Sequence, residues 1–439
     1  MRVKIEPTVP NSTEPVFIQA PPSKSIAHRM LICAAVADGE STIRGLELSD
    51  DIRATIDCLK SLGADIELTE EKQDSSNVCD LYTAKVHGIK GLNGQSSGNT
   101  PISDAQIVRL NCNESGSTLR FMIPVVTLLF FRHLLAESQS VRFTGAGRLL
   151  SRPLDVYDKL FEYTFVNFTH NPDCVDVSGY LRAGDYRIEG NVSSQFITGL
   201  LLTLPSLPGN SRIHLIPPVE SRPYIDITIA VLKDFGVEVI WENENTLYMS
   251  GDQVFKPIDA TVEGDWSNGA ILYAFAVLQR NSGRNVILTG LREESIQGDK
   301  AFLNMMEEID KGNKTVDISD CPDLGPILMV YLAMKGGGAL TGTSRLSIKE
   351  SDRGHAMKQE LEKMGATVSV EGNDIHVISD GGLHAPTDVI ESHNDHRIAM
   401  SMAVLCSIYG GEIDGADAVN KSFPAFYEAL KKVGVNIIC

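Results

Sequence analysis

Residues 55–68 read TIDCLKSLGADIEL, and the phrase recurs as TIAVLKDFGVEVIW over 228–241, QELEKMGATVSV over 359–370 and EALKKVGVNII over 428–438. Each copy sets apolar residues at helical spacing, closes on a hydrophobic residue and a glycine, and runs on into a short strand. Gly63, Gly236, Gly365 and Gly434 stand where a chain leaving a helix for a strand favours a left-handed residue. Two weaker copies, DVYDKLFEYTFVNF from Asp155 and AFLNMMEEIDKGNKTVDI from Ala301, lack the glycine at that point. A spacing of roughly 55 to 90 residues is too long for short solenoid repeats and suits whole supersecondary units.

A second helical set lies between these phrases. It opens at Ser23-Lys24-Ser25, Glu114-Ser115-Gly116-Ser117, Ser193-Ser194-Gln195, Asp265-Trp266-Ser267, Pro322-Asp323 and Asn394-Asp395-His396. The first set opens at Ser49-Asp50-Asp51, Ser151-Arg152-Pro153, Ser221-Arg222-Pro223, Gln297-Gly298-Asp299, Ser351-Asp352-Arg353 and Ser422-Phe423-Pro424. The chain is therefore expected to be α/β, each unit holding two helices and several short strands. Ser, Asp and Pro at such starts are what capping requires. Capping does not ask for the Lys and Arg gathered beside them, and a helix N-terminus next to a cation is a ready anion site.

At 439 residues the chain exceeds one ordinary core, so two domains are expected. The rigid step Pro21-Pro22 and the stretch SGDQVFKPIDAT over 250–261 mark the crossings. They give an N-terminal lobe of 22–255 and a C-terminal lobe of 1–21 with 256–439. The Ser/Gly/Asn-rich stretch 93–104 reads as a surface loop.

The formal net charge is −18, and the pI is near 5.0. Nucleic acid and anionic membrane would both be repelled, and neither is expected as a partner. A recessed cationic site is shielded from that field, because surface charge is screened beyond roughly 8 Å at physiological salt. The eight cysteines fall in neither CxxC nor Cys/His ligand spacings, which speaks for a reduced cytoplasm and against zinc. No leader is expected, and apolar runs such as 121–131 are too short to span a bilayer.

The candidates for chemistry sit at the helix starts. Lys24 and Arg29 lie about a turn apart, as do Gly116 and Arg120. Arg148 and Arg152 lie in a glycine-rich turn before a helix, suited to carboxylate or phosphate forks. Ser193, Ser194 and Gln195 are neutral donors, of which capping explains one. Asp323 lies among apolar residues as a helix cap or a general base, and His396 is as readily a buried structural histidine as a proton relay.

Taken in order, PPSKSIAHR, SGSTLR, TGAGRLLSRP, SSQFITGLL, ESRPYID, VEGD, QGD, CPD, IKESDR, NDHRIAM and KSFPAFYEAL resemble the EPSP synthase branch of the enolpyruvyl transferase family over nearly the whole chain. The resemblance implies a two-lobed inside-out α/β barrel, each lobe of three βαβαββ units, with the active site in the cleft between them. It implies transfer of the enolpyruvyl group of phosphoenolpyruvate to the 5-hydroxyl of shikimate 3-phosphate, a step of chorismate biosynthesis, without metal or organic cofactor. It further implies a cytoplasmic monomer.

Carried over by motif, Lys24, Ser25, Arg29, Ser193, Ser194, Gln195, Ser221, Tyr224, Asp323 and Lys349 would bind shikimate 3-phosphate. Lys24, Gly116, Arg148, Gln195, Arg353, His396, Arg397 and Lys421 would bind phosphoenolpyruvate. Asp323 would accept the 5-hydroxyl proton, Glu350 would lie by the methylene carbon, and Lys24 would serve both substrates. Two positions depart from the family: many members carry Asn where Glu114 and Arg345 stand. The nearest rival activity, transfer to UDP-N-acetylglucosamine, goes with a Lys-Asn pair and a loop cysteine, whereas here Ser25 follows Lys24 and Cys112 lies outside such a loop. The rival from another class is an anion-binding protein without turnover, which would not need both Asp323 and Glu350 near bound anions.

Overall fold

A computed structural model of the chain describes residues 1–7, 14–72, 78–92, 105–162, 164–380 and 382–438. The stretch 93–104, read above as a surface loop, lies outside the described residues.

Helices begin at or within a few residues of every start named from the sequence. The first set gives Asp50–Ser61, Asp155–Phe161, Arg222–Asp234, Phe302–Asp310, Arg353–Lys363 and Phe426–Lys432. The second gives Lys24–Val36, Gly116–Phe131, Ser194–Leu201, Trp266–Leu278, Gly325–Met334 and His396–Tyr409. Side-chain caps hold several starts: Ser115 Oγ accepts from Thr118 N at 3.2 Å, Asp265 Oδ1 from Asn268 N at 2.7 Å and Asp395 Oδ1 from Arg397 N at 2.9 Å. The four predicted closing glycines take φ between 76° and 94°. The copy at Ala301 carries one after all: Gly312, two residues past its helix, takes φ 100°. The longer exit KGNK before Thr315–Asp317 hid it from a comparison by position.

One strand pattern recurs. Ile107–Asn111 pairs in parallel with Ser140–Thr144, which pairs antiparallel with Val175–Tyr180, which pairs antiparallel with Phe165–His170. Asp185–Glu189, Ser211–Ile216, Thr246–Met249 and Ile240–Asn243 repeat it, as do Thr315–Asp317, Gly337–Thr341, Asp374–Ile378 and Thr367–Glu371. Two further copies are closed by distant segments. Asp259–Thr261 pairs with Glu40–Glu47, and Arg2–Glu6 lies between Gly411–Asp414 and Asn436–Ile438. Among the described residues the sixth sheet has only the parallel pair Val16–Gln19 and Val286–Thr289. Four residues separate the helix Phe302–Asp310 from Thr315–Asp317, which belongs to the next sheet, so the hairpin expected there has no chain to form it.

The chain divides into two units, named here for their place in the sequence. The terminal unit is Met1–Ser23, Lys72–Asp80 and Glu263–Cys439, and the central unit is Lys24–Glu71 with Leu81–Val262. The second crossing falls at Val262–Glu263 rather than at 255–256, because Asp259–Thr261 is a strand of the central unit's first sheet.

Within each unit the second helical set is almost wholly buried, while the first set is amphipathic. Ile123, Val126, Leu128, Ile197 and Leu200 have no exposed surface, and burying such side chains contributes about 1.5–3 kcal/mol each. Gly199 permits a close approach of its helix to Gly116–Phe131: a Cβ there would lie 2.7 Å from Arg120 O and 2.9 Å from the Pro124 ring. Candidate residues such as Lys24, Gly116, Ser194 and Arg397 thus stand at the N-termini of helices whose bodies are core, which fixes the backbone donors there.

Candidate active site

In the central unit Lys24 is the first residue of its helix, and its Nζ donates to Asp51 Oδ2 at 2.7 Å. Ser25 gives its carbonyl to Arg29 Nη1 at 2.6 Å. Arg29 is buried and turned inward: Nε donates to Thr228 Oγ1 at 2.8 Å, and Nη2 to Thr198 Oγ1 and to the carbonyl of Tyr224, both at 3.2 Å. Its guanidinium lies 4.9 Å from the centre of the Phe121 ring. Burial pulls its pKa down to about 10. In this arrangement Arg29 ties Ser25 to Tyr224, whose segment starts at Ser221 with φ 54°.

Gly116 opens the next buried helix. A Cβ on it would lie 2.6 Å from Arg152 Nη1 and 2.9 Å from Arg120 Nη1. The glycine therefore lets two guanidiniums close on a helix N-terminus, compounding the positive potential of its free N–H groups. Arg120 Nη1 also reaches Gln195 Oε1 at 3.4 Å, and Gln195 Nε2 donates to Ser117 Oγ at 3.0 Å. Ser193 Oγ accepts from Gln195 N at 3.4 Å, and Ser194 beside it is buried. Gly116, Gln195 and the serine pair are thereby brought together.

Arg148 is not part of this cluster. It is exposed at the head of the short turn Leu149–Ser151, whereas Arg152, just past that turn, is buried against Gly116. Of the two arginines of TGAGRLLSRP, Arg148, carried over by the motif, stands exposed on the turn, and Arg152 is the one that lies against Gly116. Glu114 faces the same turn, for a Cβ on Gly147, at φ 56°, would meet its carboxylate at 2.7 Å.

In the terminal unit Asp323 sits in the short turn Pro322–Leu324 ahead of a buried helix. Its Oδ1 accepts from Lys349 Nζ at 2.9 Å and from Arg353 Nη1 at 2.8 Å, and Arg397 Nη2 stands 3.9 Å from Oδ2. Burial opposes ionisation, but Lys349, Arg353 and Arg397 outweigh it and hold the carboxyl well below the usual carboxylate range. Lys349 is pulled below the ordinary lysine value, first by burial and then by Arg353 and Arg345, against the opposing pull of Asp323.

Arg353 is 1% exposed and spans three carboxylates. Besides Asp323 it donates from Nη2 to Glu350 Oε2 at 2.8 Å and from Nε to Asp395 Oδ2 at 2.8 Å. Asp395, fully buried, also accepts from Ser351 Oγ at 3.0 Å while capping its own helix at Arg397 N. Arg397 Nη1 donates to Asn268 Oδ1 at 3.0 Å, and Lys421 Nζ donates to the carbonyl of Asn394 at 2.6 Å. His396 is buried at the first position of that helix.

Several residues of these networks were absent from the site carried over by motif, among them Asp51, Arg152, Asn268 and Asp395. Asp395 and Asp51 read as caps or first-turn acids, and only contact with Arg353 and Lys24 reveals their second role. Asn268 had no signal beyond its place at a helix start. Arg152 had one, since it stands with Arg148 in the stretch read above as a carboxylate or phosphate fork, although the motif carried over Arg148 alone.

Among the described residues no cluster of His, Cys, Asp or Glu is arranged to hold a metal ion. The described cysteines, Cys33, Cys58, Cys79, Cys112, Cys174, Cys321 and Cys406, are free and buried. No helix among the described residues is long and apolar enough to cross a membrane.

Comparison with known proteins agrees with this chemistry. The family model described as EPSP synthase (3-phosphoshikimate 1-carboxyvinyltransferase) matches residues 16–430. Relatives named 3-phosphoshikimate 1-carboxyvinyltransferase include those of Clostridium novyi, 39% identical over 95% of this chain and 94% of its own, and Clostridium beijerinckii, 36% identical over 95% and 94%. In fold the chain is similar to the EPSP synthase structure from Acinetobacter baumannii, with a TM-score of 0.73 over 100% of both chains at 21% identity. The motif-bearing helix starts and these matches together place the chain in the EPSP synthase family.

Proposed function

We propose that the chain transfers the enolpyruvyl group of phosphoenolpyruvate to the 5-hydroxyl of shikimate 3-phosphate, releasing phosphate. The observation that carries this reading is the single guanidinium of Arg353 bonded at once to Asp323 and Glu350, with Lys349 and Arg397 closing on Asp323. Two acids and a set of cations suit an addition and elimination between two anions.

Phosphoenolpyruvate and shikimate 3-phosphate together carry roughly six negative charges near neutral pH. Lys24, Arg120 and Arg152 in the central unit, and Lys349, Arg353, Arg397 and Lys421 in the terminal unit, are the cations available to them. Carboxylates already occupy several of these cations, Asp51 on Lys24 and Asp323 on Lys349 and Arg353. Incoming phosphate and carboxylate groups therefore share the cations with Asp323, and as its hold by Lys349 and Arg397 relaxes its affinity for a proton rises. A carboxylate too acidic to act as a base in the free enzyme becomes a competent one in the complex.

Glu350 delivers a proton to the methylene carbon, and C2 becomes electrophilic. The 5-hydroxyl oxygen adds to C2 as Asp323 takes its proton. Loss of phosphate from the tetrahedral adduct, with return of a proton from the new methyl group to the Glu350 carboxylate, restores the double bond. The fixed cations and helix N-termini meet charge where it develops, and their reorganisation is limited because they are buried. Ser25, Ser193, Ser194, Ser221 and Tyr224 bind shikimate 3-phosphate with Lys24 and Lys349, and Arg29 acts from behind by fixing Ser25 and Tyr224. Gly116, Gln195, His396 and the cations Arg152, Arg353, Arg397 and Lys421 bind phosphoenolpyruvate. The protein works as a cytoplasmic monomer, which sedimentation and fractionation test.

The deciding experiment is release of phosphate from phosphoenolpyruvate with shikimate 3-phosphate or with UDP-N-acetylglucosamine as acceptor. Turnover with the first alone is expected. Turnover with the second would replace this reading by the rival one, and turnover with neither would leave an anion-binding protein.

A further inference from the structure

Glu360 lies on the helix Arg353–Lys363, within the repeat phrase over 359–370 but outside the motifs that carry the family resemblance, and is 1% exposed. Its carboxylate takes three donors: His393 Nε2 at 2.8 Å on Oε1, and Lys363 Nζ at 2.7 Å and the backbone N of Glu391 at 2.9 Å on Oε2. Burying a carboxylate costs several kcal/mol before its partners offset it, so such a group constrains whatever supplies the donors. Two of the three come from the segment that leads into the helix His396–Tyr409.

That segment is conformationally unusual. His393 and Asn394 take φ 52° and 54°, a left-handed pair of residues that both carry side chains. Asn394 presents the carbonyl that receives Lys421 Nζ. The next residue, Asp395, binds the Arg353 guanidinium and caps Arg397. Three cations thus take their positions from a turn that is itself held by Glu360. Glu360 also faces the thiol of Cys406, which is pushed up to about 12, by burial first and then by this carboxylate.

We propose that Glu360 is a positioning residue, which through His393 and Glu391 N fixes the left-handed turn and so the placement of Arg353, Arg397 and Lys421 around phosphoenolpyruvate. The identity of the anion rests on the function proposed above, whereas the hold on the turn does not. Its chemistry is that of a support: Glu360 touches neither substrate and moves no proton.

The test uses the full chain with Glu360→Ala, Glu360→Gln and His393→Ala, the last at a partly exposed position that keeps the experiment alive if Glu360→Ala does not fold. Crystal structures of the variants are expected to show residues 393 and 394 leaving the left-handed region, with the Lys421 contact to residue 394 opened. An unchanged turn in Glu360→Ala or His393→Ala would overturn the proposal whatever the enzyme's substrate. In kinetics the KM for phosphoenolpyruvate is expected to rise about tenfold to a hundredfold in the alanine variants, with that for shikimate 3-phosphate changed much less. Glu360→Gln, which keeps an acceptor, should restore part of the loss. Equal rises in both KM values in folded variants would overturn the proposal. Wild-type protein inert toward both substrates would overturn the functional reading instead, and the structural arm would still decide the role of Glu360.

Discussion

Arg353 Nη1 and Nη2 stand 2.8 Å from Asp323 Oδ1 and 2.8 Å from Glu350 Oε2, so one buried guanidinium sets the spacing of the two acids. A planar fork can do this because its donors diverge at fixed angles, and a lysine at the same place offers one point charge. Arg353→Lys is therefore expected to lower kcat about a hundredfold or more while the protein still folds, measured at saturating concentrations of both substrates beside a thermal melt. A folded variant with near-normal kcat would separate Arg353 from the chemistry.

Gly116→Ala places a methyl group where the ends of Arg152 and Arg120 now lie. Those ends are flexible and can withdraw, so the fold is expected to survive and the anion site to suffer. The KM for phosphoenolpyruvate should rise about tenfold or more with little change in melting temperature. An unaltered KM would show that the two arginines do not need their present place.

The two arginines of TGAGRLLSRP should behave differently. Arg152→Lys removes a buried fork and should reduce kcat/KM for phosphoenolpyruvate by about two orders of magnitude. Arg148→Lys, on an exposed turn, should stay within about threefold of wild type, as surface substitutions generally do. The reverse order would restore the assignment first drawn from the motif.

The sequence made the architecture readable because one helix-to-strand phrase with its glycine repeats through the chain, and because a left-handed exit from a helix is a local requirement that leaves a local mark. It did not reveal the truncated sixth sheet, since a missing hairpin leaves no residues to read. The candidate site was legible where its residues coincide with a helix start, as at Lys24, Gly116, Asp323 and Arg397. It was illegible where their placement depends on burial. Arg148 and Arg152 are chemically equal in the sequence, and only the short turn between them turns one outward and the other toward Gly116. Arg29 carries the marks of a substrate ligand, yet its donors are taken by the carbonyl of Ser25 one turn back and, from distant segments, by Thr228, Thr198 and the carbonyl of Tyr224.

Acid should expose the support role of Glu360. Burial raises its pKa, but hydrogen bonds from His393, Lys363 and Glu391 N outweigh that and leave it below the ordinary 4.5. A carboxyl depressed in the folded state contributes stability that is fully present above its unfolded pKa and is lost as pH falls through the folded one. The difference in unfolding free energy between wild type and Glu360→Gln should be constant at neutral pH and shrink below pH 4.5. A difference that holds constant into acid would mean that the charge of Glu360 does not contribute.

The division of labour between the two acids is the centre of the account, and exchange of solvent deuterium into the methylene group of phosphoenolpyruvate tests it most directly. In the presence of shikimate 3-phosphate, Glu350→Gln is expected to suppress that exchange as severely as it suppresses product formation, because both need a proton at the same carbon. Normal exchange in Glu350→Gln with product formation lost would contradict the assignment of Glu350 as the acid that protonates the methylene carbon.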